Sequence, residues 1–197
     1  MKLNRSLEWV LSLLMLIALT PLLMILFVIA TIDSHEFGMF FQQRIGKNAK
    51  KFTLYKLQTI HPKTQTISSI GKFLRKYKLD ELPQLINIFN GTMSFVGPRP
   101  DIPGYADNLV GDDRVILKIR PGVTGLASIK YRNEEFLLQQ QPDSITYNDT
   151  VIWPDKVRIN KWYVENHSFS MDVQILWYTL IPMPINIDQF IEKNSRF

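Results

Sequence analysis

The longest apolar stretch of the chain lies near its start. Residues 9–32 run for 24 positions without a charged side chain and consist mostly of Leu, Ile, Met and Val. As an α-helix this stretch would measure about 36 Å, against a bilayer hydrocarbon core of roughly 30 Å. The pattern predicts a membrane-embedded helix. A cleaved signal peptide is disfavoured, because the run is too long for one and no small-x-small site follows it.

A proline interrupts this stretch at its centre. Pro21 lacks a backbone N–H and its ring crowds the carbonyl of Ile17, so Thr20 and Pro21 form a predicted break or kink, with the Thr20 hydroxyl as a candidate partner for the freed backbone. Basic residues flank the stretch on both sides; they are Lys2, Arg5, Arg44, Lys47, Lys50 and Lys51. Because such residues favour the cytoplasmic face, two topologies stay open. One is a Pro-kinked single span, and the other is a re-entrant helix–break–helix segment with both ends on one face.

Extended and helical patterns follow the apolar stretch. Residues 40–57 form two extended runs joined by a Gly/Asn turn, which predicts a basic β-hairpin. Gly71–Tyr77 is typical of a short amphipathic helix at a polar interface. From Asp80 to Phe89 apolar residues recur every three or four positions. This pattern predicts a helix that has Asp80 and Glu81 in its first turn, near donors that favour anions, and that ends at Asn90-Gly91.

The second half of the chain predicts turns and further helices. Residues 120–125 are expected to form a turn, and residues 131–133 follow a strand-like run. A helix should begin near Pro154. A last, aromatic-rich helix, either interfacial or part of the core, is expected from Met171 to about Leu180. Ser168–Ser170 are expected to cap the start of this helix, and Pro182 and Pro184 are expected to end it.

Length and composition fit one soluble domain with one membrane element. The chain has 197 residues, of which 46% are hydrophobic, enough to bury one core once the apolar stretch is set aside. The predicted class is α+β, mostly helical with a short β-hairpin and interfacial helices. The N-terminal membrane segment is expected in residues 1–36 and the cytoplasmic domain in residues 37–197.

Residue types narrow the chemistry. There is no cysteine, which excludes disulfides, zinc-thiolate sites and thiol nucleophiles. The three histidines, His35, His61 and His167, have no metal-ligand spacing. A net charge of +5 and a pI near 9.4 indicate an anionic partner, which is a nucleic acid, an anionic lipid or a phosphorylated substrate.

The basic charge surrounds one pair of carboxylates. Between Glu36 and Asp80 the chain has ten Lys or Arg and no acidic residue, and then Asp80 and Glu81 stand side by side. The neighbouring cations favour ionised carboxylates, so the pair is expected to stay anionic and to need Mg²⁺ before it can approach a phosphate. The alternative is that both acids merely open a helix, where they suit the macrodipole.

Beyond the pair, Arg99 is a candidate for phosphate recognition. Arg99 stands between Pro98 and Pro100, and this stiff backbone suits a guanidinium held for bidentate contact with phosphate. An ordinary surface turn is the alternative for Arg99. Two later arginines are Arg120 and Arg132. The alternative to a functional role for either is an ordinary solvated cation on the surface.

Several short motifs follow one another in a fixed order. They are Gln43-Arg44-Ile45-Gly46, Tyr55-Lys56-Leu57, Leu79-Asp80-Glu81-Leu82-Pro83-Gln84-Leu85, Phe95-Val96-Gly97-Pro98-Arg99-Pro100, Arg120-Pro121-Gly122-Val123-Thr124-Gly125 and Arg132-Asn133. Together they resemble the bacterial sugar transferase family, and more narrowly its small monotopic phosphoglycosyl transferases. A C-terminal pattern extends the resemblance over nearly the whole chain; it consists of Pro154-Asp155-Lys156, Trp162-Tyr163-Val164, Ser168 and Asp172. Gln58 and Tyr131 depart from the family pattern, which has Arg and Gly there.

The resemblance implies a reaction and roles for particular residues. A sugar 1-phosphate would pass from a nucleotide diphosphate sugar, such as a UDP-sugar, to polyprenyl phosphate, releasing a nucleoside monophosphate. The reaction would take place at the cytoplasmic face of the bacterial inner membrane. Asp80 would be the nucleophile that carries the phosphosugar covalently, with Mg²⁺ at Asp80 and Glu81. The residues that would hold phosphates or the nucleotide are Lys56, Arg75, Arg99 and Arg132. The family's re-entrant helix is broken at a Ser-Pro, which Thr20-Pro21 resembles.

Two other classes of protein remain as alternatives. A membrane-anchored basic nucleic-acid-binding protein would explain the charge, but it gives no reason for two carboxylates inside the basic run. An inactive transferase-like scaffold would have no reason to keep Asp80, Glu81 and Arg99 together. The expected partners are therefore the nucleotide sugar, polyprenyl phosphate and membrane lipid, with no nucleic acid. The sequence does not specify the sugar or the oligomeric state.

Overall fold

The computed structural model describes residues 5–181 and 183–195. The chain forms two compact units. The anchor unit consists of Arg5–Arg44 and Lys51–Met93, and the C-terminal unit consists of Ile45–Lys50 with the described residues from Ser94 onward. The apolar helix and the carboxylate pair thus belong to one unit. The division into residues 1–36 and 37–197, which separates anchoring from chemistry, stays a prediction.

The anchor unit begins with a long helix and contains the predicted hairpin except for Ile45 and the connecting turn, which belong to the C-terminal unit. Its helices are α1 (Arg5–Ser34), α2 (Ser69–Lys76) and α3 (Gln84–Phe89), and its strands are β1 (Met39–Ile45) and β2 (Lys51–Leu57). Strands β1 and β2 pair in a two-stranded sheet and are joined by a 3-10 turn at Lys47–Ala49. The hairpin and the short amphipathic helix α2 are confirmed. Ser68 starts α2, since its hydroxyl accepts a hydrogen bond from the amide of Gly71.

Helix α1 passes through Pro21 without interruption. The predicted break at Thr20 and Pro21 therefore does not divide the described helix. The Thr20 hydroxyl donates to the carbonyl of Leu16 at 2.6 Å, and not to the carbonyl of Ile17 that Pro21 leaves without its usual donor. The helix continues to Ser34, so the loss of this one donor does not end it. By length and composition α1 is able to cross a membrane, with a mean hydropathy of 2.9 over an 18-residue stretch that is only 11% buried.

Both ends of α1 are attached to other parts of the anchor unit. Near its end, Leu26 and Ala30 are buried in a cluster with Leu57 of β2 and Leu74 of α2. At its start, the guanidinium of Arg5 donates to two carbonyls at the end of α3, those of Ile88 and Phe89, each at 2.6 Å. The carbonyl of Ile88 also accepts from the amide of Gly91 at 2.9 Å, and Arg5 adds a charged donor to both carbonyls at this helix end.

The C-terminal unit is mainly helical. Its helices are α4 (Leu126–Lys130), α5 (Glu134–Gln139), α6 (Ser144–Tyr147), α7 (Trp153–Asn166), α8 (Phe169–Leu180) and α9 (Ile187–Asn194). Further turns are the 3-10 segments Ala106–Asn108 and Gly111–Lys118 and a π segment at Asn148–Ile152. Its largest buried cluster includes Leu126, Ile159, Tyr163 and Ile175, from helices α4, α7 and α8.

Two short parallel strands complete this unit. Strand β3 (Ser94–Val96) pairs with β4 (Gly122–Thr124), with Ser94 opposite Gly122 and Val96 opposite Thr124. The prediction of a turn throughout residues 120–125 is therefore wrong, because residues 122–124 find a strand partner far away in the sequence. The run before residues 131–133 is also not a strand, since it forms α4.

The helix predictions near the C-terminus are mostly confirmed. Pro154 lies in the first turn of α7, and the Ser168 hydroxyl accepts from the amide of Met171 at the start of α8. Helix α8 ends at Leu180, as predicted, while Pro182 lies outside the described residues. It is not the last helix: Asn186 caps α9 by accepting from two backbone amides.

Candidate active site

The carboxylate pair lies in a tight turn of the anchor unit. Asp80 and Glu81 belong to a 3-10 turn, Leu79–Glu81, that follows a left-handed residue, Lys78, at φ 56°. They are not in the first turn of an α-helix as predicted. Pro83 has no N–H to bond the carbonyl of Leu79, which instead accepts from the amide of Leu82 at 3.3 Å. Helix α3 therefore starts only at Gln84.

Both carboxylates are buried, with 6% of Asp80 and 8% of Glu81 exposed. Burial raises the pKa of the Asp80 carboxyl above its ordinary value, and the neighbouring Glu81 raises this pKa further. Lys56, Lys78 and Arg75 act in the opposite direction. The neighbouring charges are visible in the sequence, whereas burial, which is the largest contribution to the pKa of Asp80, depends on packing.

Lys56 forms an ion pair with the second carboxylate. Its ammonium lies 3.2 Å from Oε1 of Glu81, and the two side chains are 16% and 9% exposed. Lys56 is in strand β2, which is held against α3 by a buried amide, that of Asn87. Asn87 accepts from the amide of Tyr55 and donates to the carbonyl of Thr53, so it bonds to the part of β2 that directly precedes Lys56.

One carboxylate oxygen of Asp80 is left without a hydrogen bond. Oδ1 is buried and has no partner among the described residues. No group of three or more His, Cys, Asp or Glu side chains within residues 5–181 and 183–195 is placed to hold a metal. Mg²⁺, however, is commonly held by one or two carboxylates together with water and substrate phosphates. The unpartnered oxygen of Asp80 beside Glu81 fits such an ion.

The predicted phosphate-binding residues divide between the two units. Lys56 and Arg75 belong to the anchor unit and act electrostatically on Asp80. Arg75 lies in the last turn of α2 and is half-buried. Arg99 and Arg132 belong to the C-terminal unit.

Arg99 lies in a loop that is bonded to the second arginine motif. The loop follows β3, and Gly97 donates to the carbonyl of Thr124 at 2.9 Å while Gly122 donates to the carbonyl of Pro98 at 2.8 Å. A Cβ on Gly122 would lie only 2.1 Å from the nitrogen of Gly97, so this approach requires glycine. The half-buried Arg99 lines a small cleft here. The motif around Arg99 and the motif that starts at Arg120 thus lie side by side, because they contain the paired strands β3 and β4.

Arg132 is placed differently. Its side chain is exposed, and its guanidinium donates to the carbonyl of Tyr178 at 2.7 Å, near the end of α8. The preceding Tyr131, which replaces the family's glycine, donates its hydroxyl to Asp155 at 2.7 Å. Burial and this bond raise the pKa of the Tyr131 hydroxyl. In this structure Arg132 supports a helix end, and its role toward a substrate stays a prediction.

Three residues important to this site were missed from the sequence. They are Arg5, which caps α3, Asn87, which ties α3 to β2, and Gln84, which is 2% exposed. The available signal for Asn87 was a polar residue inside the apolar run Leu85–Phe89. In the sequence Arg5 belongs only to the positive flank of the apolar stretch, because nothing local indicates its partner.

Comparison with known proteins assigns the family. The bacterial sugar transferase model matches residues 1–184, so the chain belongs to the bacterial sugar transferase family. It is 33% identical over 153 residues to the uncharacterized sugar transferase EpsL of Bacillus subtilis (strain 168), covering 72% of this chain and 68% of that protein.

Two further relatives have names that state an acceptor. The undecaprenyl-phosphate galactose phosphotransferase of Salmonella typhimurium is 29% identical, over 90% of this chain and 39% of its own length. The UDP-N-acetylgalactosamine-undecaprenyl-phosphate N-acetylgalactosaminephosphotransferase of Aeromonas hydrophila is 27% identical, over 82% of this chain and 38% of its own length. The chain therefore spans about two fifths of the length of these two relatives.

Proposed function

We propose that this protein transfers a sugar 1-phosphate from a nucleotide diphosphate sugar to polyprenyl phosphate through a covalent intermediate on Asp80. An oxygen of the Asp80 carboxylate forms a bond to the sugar-bearing phosphorus. The bond from this phosphorus to the nucleoside monophosphate breaks, and the nucleotide leaves with the electron pair. An oxygen of polyprenyl phosphate then attacks the same phosphorus, and Asp80 is released as a carboxylate.

The observation that carries this proposal is the state of Asp80. It is buried, its pKa is raised, and Oδ1 has no partner among the described residues. A poorly solvated carboxylate of raised basicity is a better nucleophile than an exposed one. Glu81 differs, because Lys56 already pairs with it. This difference favours Asp80 as the attacking group and Glu81 as the supporting one.

Asp80 and Glu81 are the residues that would hold Mg²⁺. A bound Mg²⁺ would reduce repulsion between the carboxylates and the diphosphate. Lys56 and Arg75 add positive charge on the same unit, which suits an anionic donor. We assign Arg99 and Arg132 to the nucleotide or its phosphates on resemblance to the family.

The names of relatives and one groove support the identity of the substrates. Relatives are named for undecaprenyl phosphate and, in one case, for a UDP-sugar, and we propose the same acceptor and a UDP-sugar donor that would release UMP. An apolar groove of about 260 Å³ within the anchor unit suits the isoprenoid chain of that acceptor. It is lined by Thr20, Leu23, Met24, Phe27, Met39, Leu57, Pro83 and Ile86.

We also propose that α1 anchors the protein without crossing the bilayer, with both ends at the cytoplasmic face of the bacterial inner membrane. The support is that both ends of α1 contact the same unit. Arg5 bonds to α3, and Asp33 accepts from Ser68 at 2.6 Å, just before α2. A helix crossing to the opposite face would separate Arg5 from the end of α3.

A mass measurement tests the proposed reaction. The purified protein in detergent, with Mg²⁺, is incubated separately with UDP-galactose, UDP-glucose and UDP-N-acetylgalactosamine, and its intact mass is recorded. We expect a gain of one phosphosugar with a cognate donor, retained in Glu81→Gln at reduced rate and absent in Asp80→Asn. Sugar transfer to polyprenyl phosphate by Asp80→Asn at the unaltered rate would refute the covalent mechanism. A chain that neither gains mass nor releases UMP with any UDP-sugar would instead support the inactive scaffold.

A further inference from the structure

Gln84 is a buried polar residue whose amide group is not fully used by the fold. It is the first residue of α3 and is 2% exposed. Its Nε2 atom has no hydrogen-bond partner among the described residues. Buried side-chain amides are normally bonded, so an unbonded one needs an explanation.

The position of Gln84 relative to Asp80 gives such an explanation. Leu82 and Pro83, which separate the two segments, both have right-handed helical backbone angles. Residues 80 and 84 are therefore little more than one turn apart on a tight helical segment, so the two side chains start from neighbouring positions. The two side chains do not bond each other, since both Asp80 Oδ1 and Gln84 Nε2 lack a partner among the described residues. Two unsatisfied buried atoms on neighbouring positions of one turn indicate a place for a third group.

The chemistry of the two atoms defines that group. An amide nitrogen donates hydrogen bonds, so its partner has to be an acceptor. An acceptor that also approaches the Asp80 carboxylate during the proposed reaction is the phosphoryl group of the donor substrate. A neutral donor has an advantage here, because a cation at the same position would pair with a carboxylate, as Lys56 does with Glu81.

We propose that Gln84 is a further catalytic residue, whose amide donates a hydrogen bond to a non-bridging oxygen of the sugar-bearing phosphoryl group as Asp80 bonds to its phosphorus. This inference rests on the proposed function. The amide is fixed in advance on a buried turn, and it stabilises the charge on the phosphoryl oxygens in the transition state. The hydrogen bond is made mainly there, so its loss lowers the rate of the step more than the affinity for the donor.

The chain offers a matched control in the other buried amide of α3. Asn87 is also 2% exposed, but its amide bonds to the carbonyl of Thr53 and accepts from the amide of Tyr55. Replacing Asn87 by Leu removes bonds that the fold uses. Replacing Gln84 by Met keeps the length of the side chain and removes a polar group that the free protein leaves unsatisfied. The two substitutions therefore separate a structural amide from a catalytic one.

The experiment measures stability and adduct formation in the same proteins. Melting temperatures are recorded in detergent without substrate, and single-turnover formation of the phosphosugar adduct is followed by intact mass over a range of UDP-sugar concentrations. We expect Gln84→Met to melt at or above the temperature of the unaltered protein, yet to form the adduct roughly 100- to 1,000-fold more slowly at saturation, with half-saturation changed by less than about threefold. Asn87→Leu should melt at a lower temperature.

The outcomes that overturn this inference differ from those that overturn the proposed function. If Gln84→Met forms the adduct within twofold of the unaltered rate, or if its melting temperature falls as far as that of Asn87→Leu, Gln84 is a structural residue and the inference is wrong. The proposed function then still stands. If the unaltered protein forms no adduct on Asp80 with any of the three UDP-sugars, the proposed function fails and this inference fails with it.

Discussion

The capping of α3 by Arg5 leads to a stability prediction. Arg5→Met keeps most of the aliphatic stem and removes both hydrogen bonds to the carbonyls of Ile88 and Phe89. Hydrogen bonds from charged donors contribute about 1.5–3 kcal/mol each. The two bonds share one half-buried guanidinium, and water is able to reach the carbonyls once it is removed, so we expect a total loss of about 2 kcal/mol. For a chain of this size that is a fall of roughly 4–8 °C in melting temperature.

A second arginine provides the matched control. Arg114 is exposed, and its Nη1 donates to a backbone carbonyl as well, that of Leu109 at 2.9 Å. Arg114→Met removes the same charge and a similar bond from an exposed position, and we expect a loss within about 0.5 kcal/mol. Both variants are measured by thermal unfolding in one detergent, beside Arg5→Lys, which keeps the charge but loses the fork of two donors.

The order of the melting temperatures decides the result. We expect the unaltered protein and Arg114→Met to melt at similar temperatures, Arg5→Lys to melt lower and Arg5→Met lowest. Equal shifts for Arg5→Met and Arg114→Met would refute the reasoning, because Arg5 would then be an ordinary surface cation. Such a result would also remove one of the two contacts that support the same-face topology of α1.

Three further predictions follow from the site and the anchor. Excess EDTA should abolish adduct formation and added Mg²⁺ should restore it, because a diphosphate has to approach two carboxylates; full activity in EDTA would contradict this. Asp80→Asn should raise the melting temperature at pH 7.5 but not at pH 4. The pKa of Asp80 is raised in the folded protein, so stability is lost as pH rises from its ordinary value of 3.8 through the folded value. An equal gain at both pH values would show that the carboxyl charge is not the cause. Cysteines introduced at Lys2, which lies outside the described residues, and at Lys47 should both react from the cytoplasmic face, since the chain has no cysteine of its own. Labelling of the Lys2→Cys variant from the opposite face would show a single span.

Local signals explain which elements were predicted from the sequence. The hairpin, the start of α7 at Pro154 and the Ser168 cap of α8 each depend on residues close together in the chain, where turn and capping chemistry act. The same holds for the end of α3 at Asn90-Gly91, where Gly91 adopts a φ of +78°. These elements require no knowledge of tertiary contacts.

Features that depend on distant residues were not predictable in this way. Strand β4 exists because Gly122–Thr124 pairs with Ser94–Val96, and its glycine-rich sequence alone indicates a turn. The partners of Arg5 are more than 80 positions away. The 3-10 turn at the carboxylate pair, by contrast, has a local signal, because Pro83 has no backbone N–H to donate to the carbonyl of Leu79.

The properties of the site also divide into those that neighbouring residues determine and those that depend on packing. Neighbouring charges around Asp80 are visible in the sequence, and three of the cations that lower its pKa, Lys56, Arg75 and Lys78, lie within the basic run. Burial, which has the larger effect on this pKa, depends on how the unit packs. The unsatisfied amide of Gln84 is likewise visible only after every hydrogen bond around α3 is assigned.

The packing of the anchor unit bears on why the proposed reaction centre is joined to the apolar helix α1. Leu79 and Leu82, which flank Asp80 and Glu81, pack against the buried cluster that contains Leu26 and Ala30 of α1. A close-packed interior transmits position, so with α1 placed in the membrane as proposed, its depth would set the height of the carboxylates above the lipid. An acceptor with a polyprenyl chain remains in the membrane, and its phosphate is confined to a narrow layer at the surface. A nucleophile on a flexible tether would sample many heights, whereas one packed on the anchor is held at a single height, where the proposed acceptor presents its phosphate.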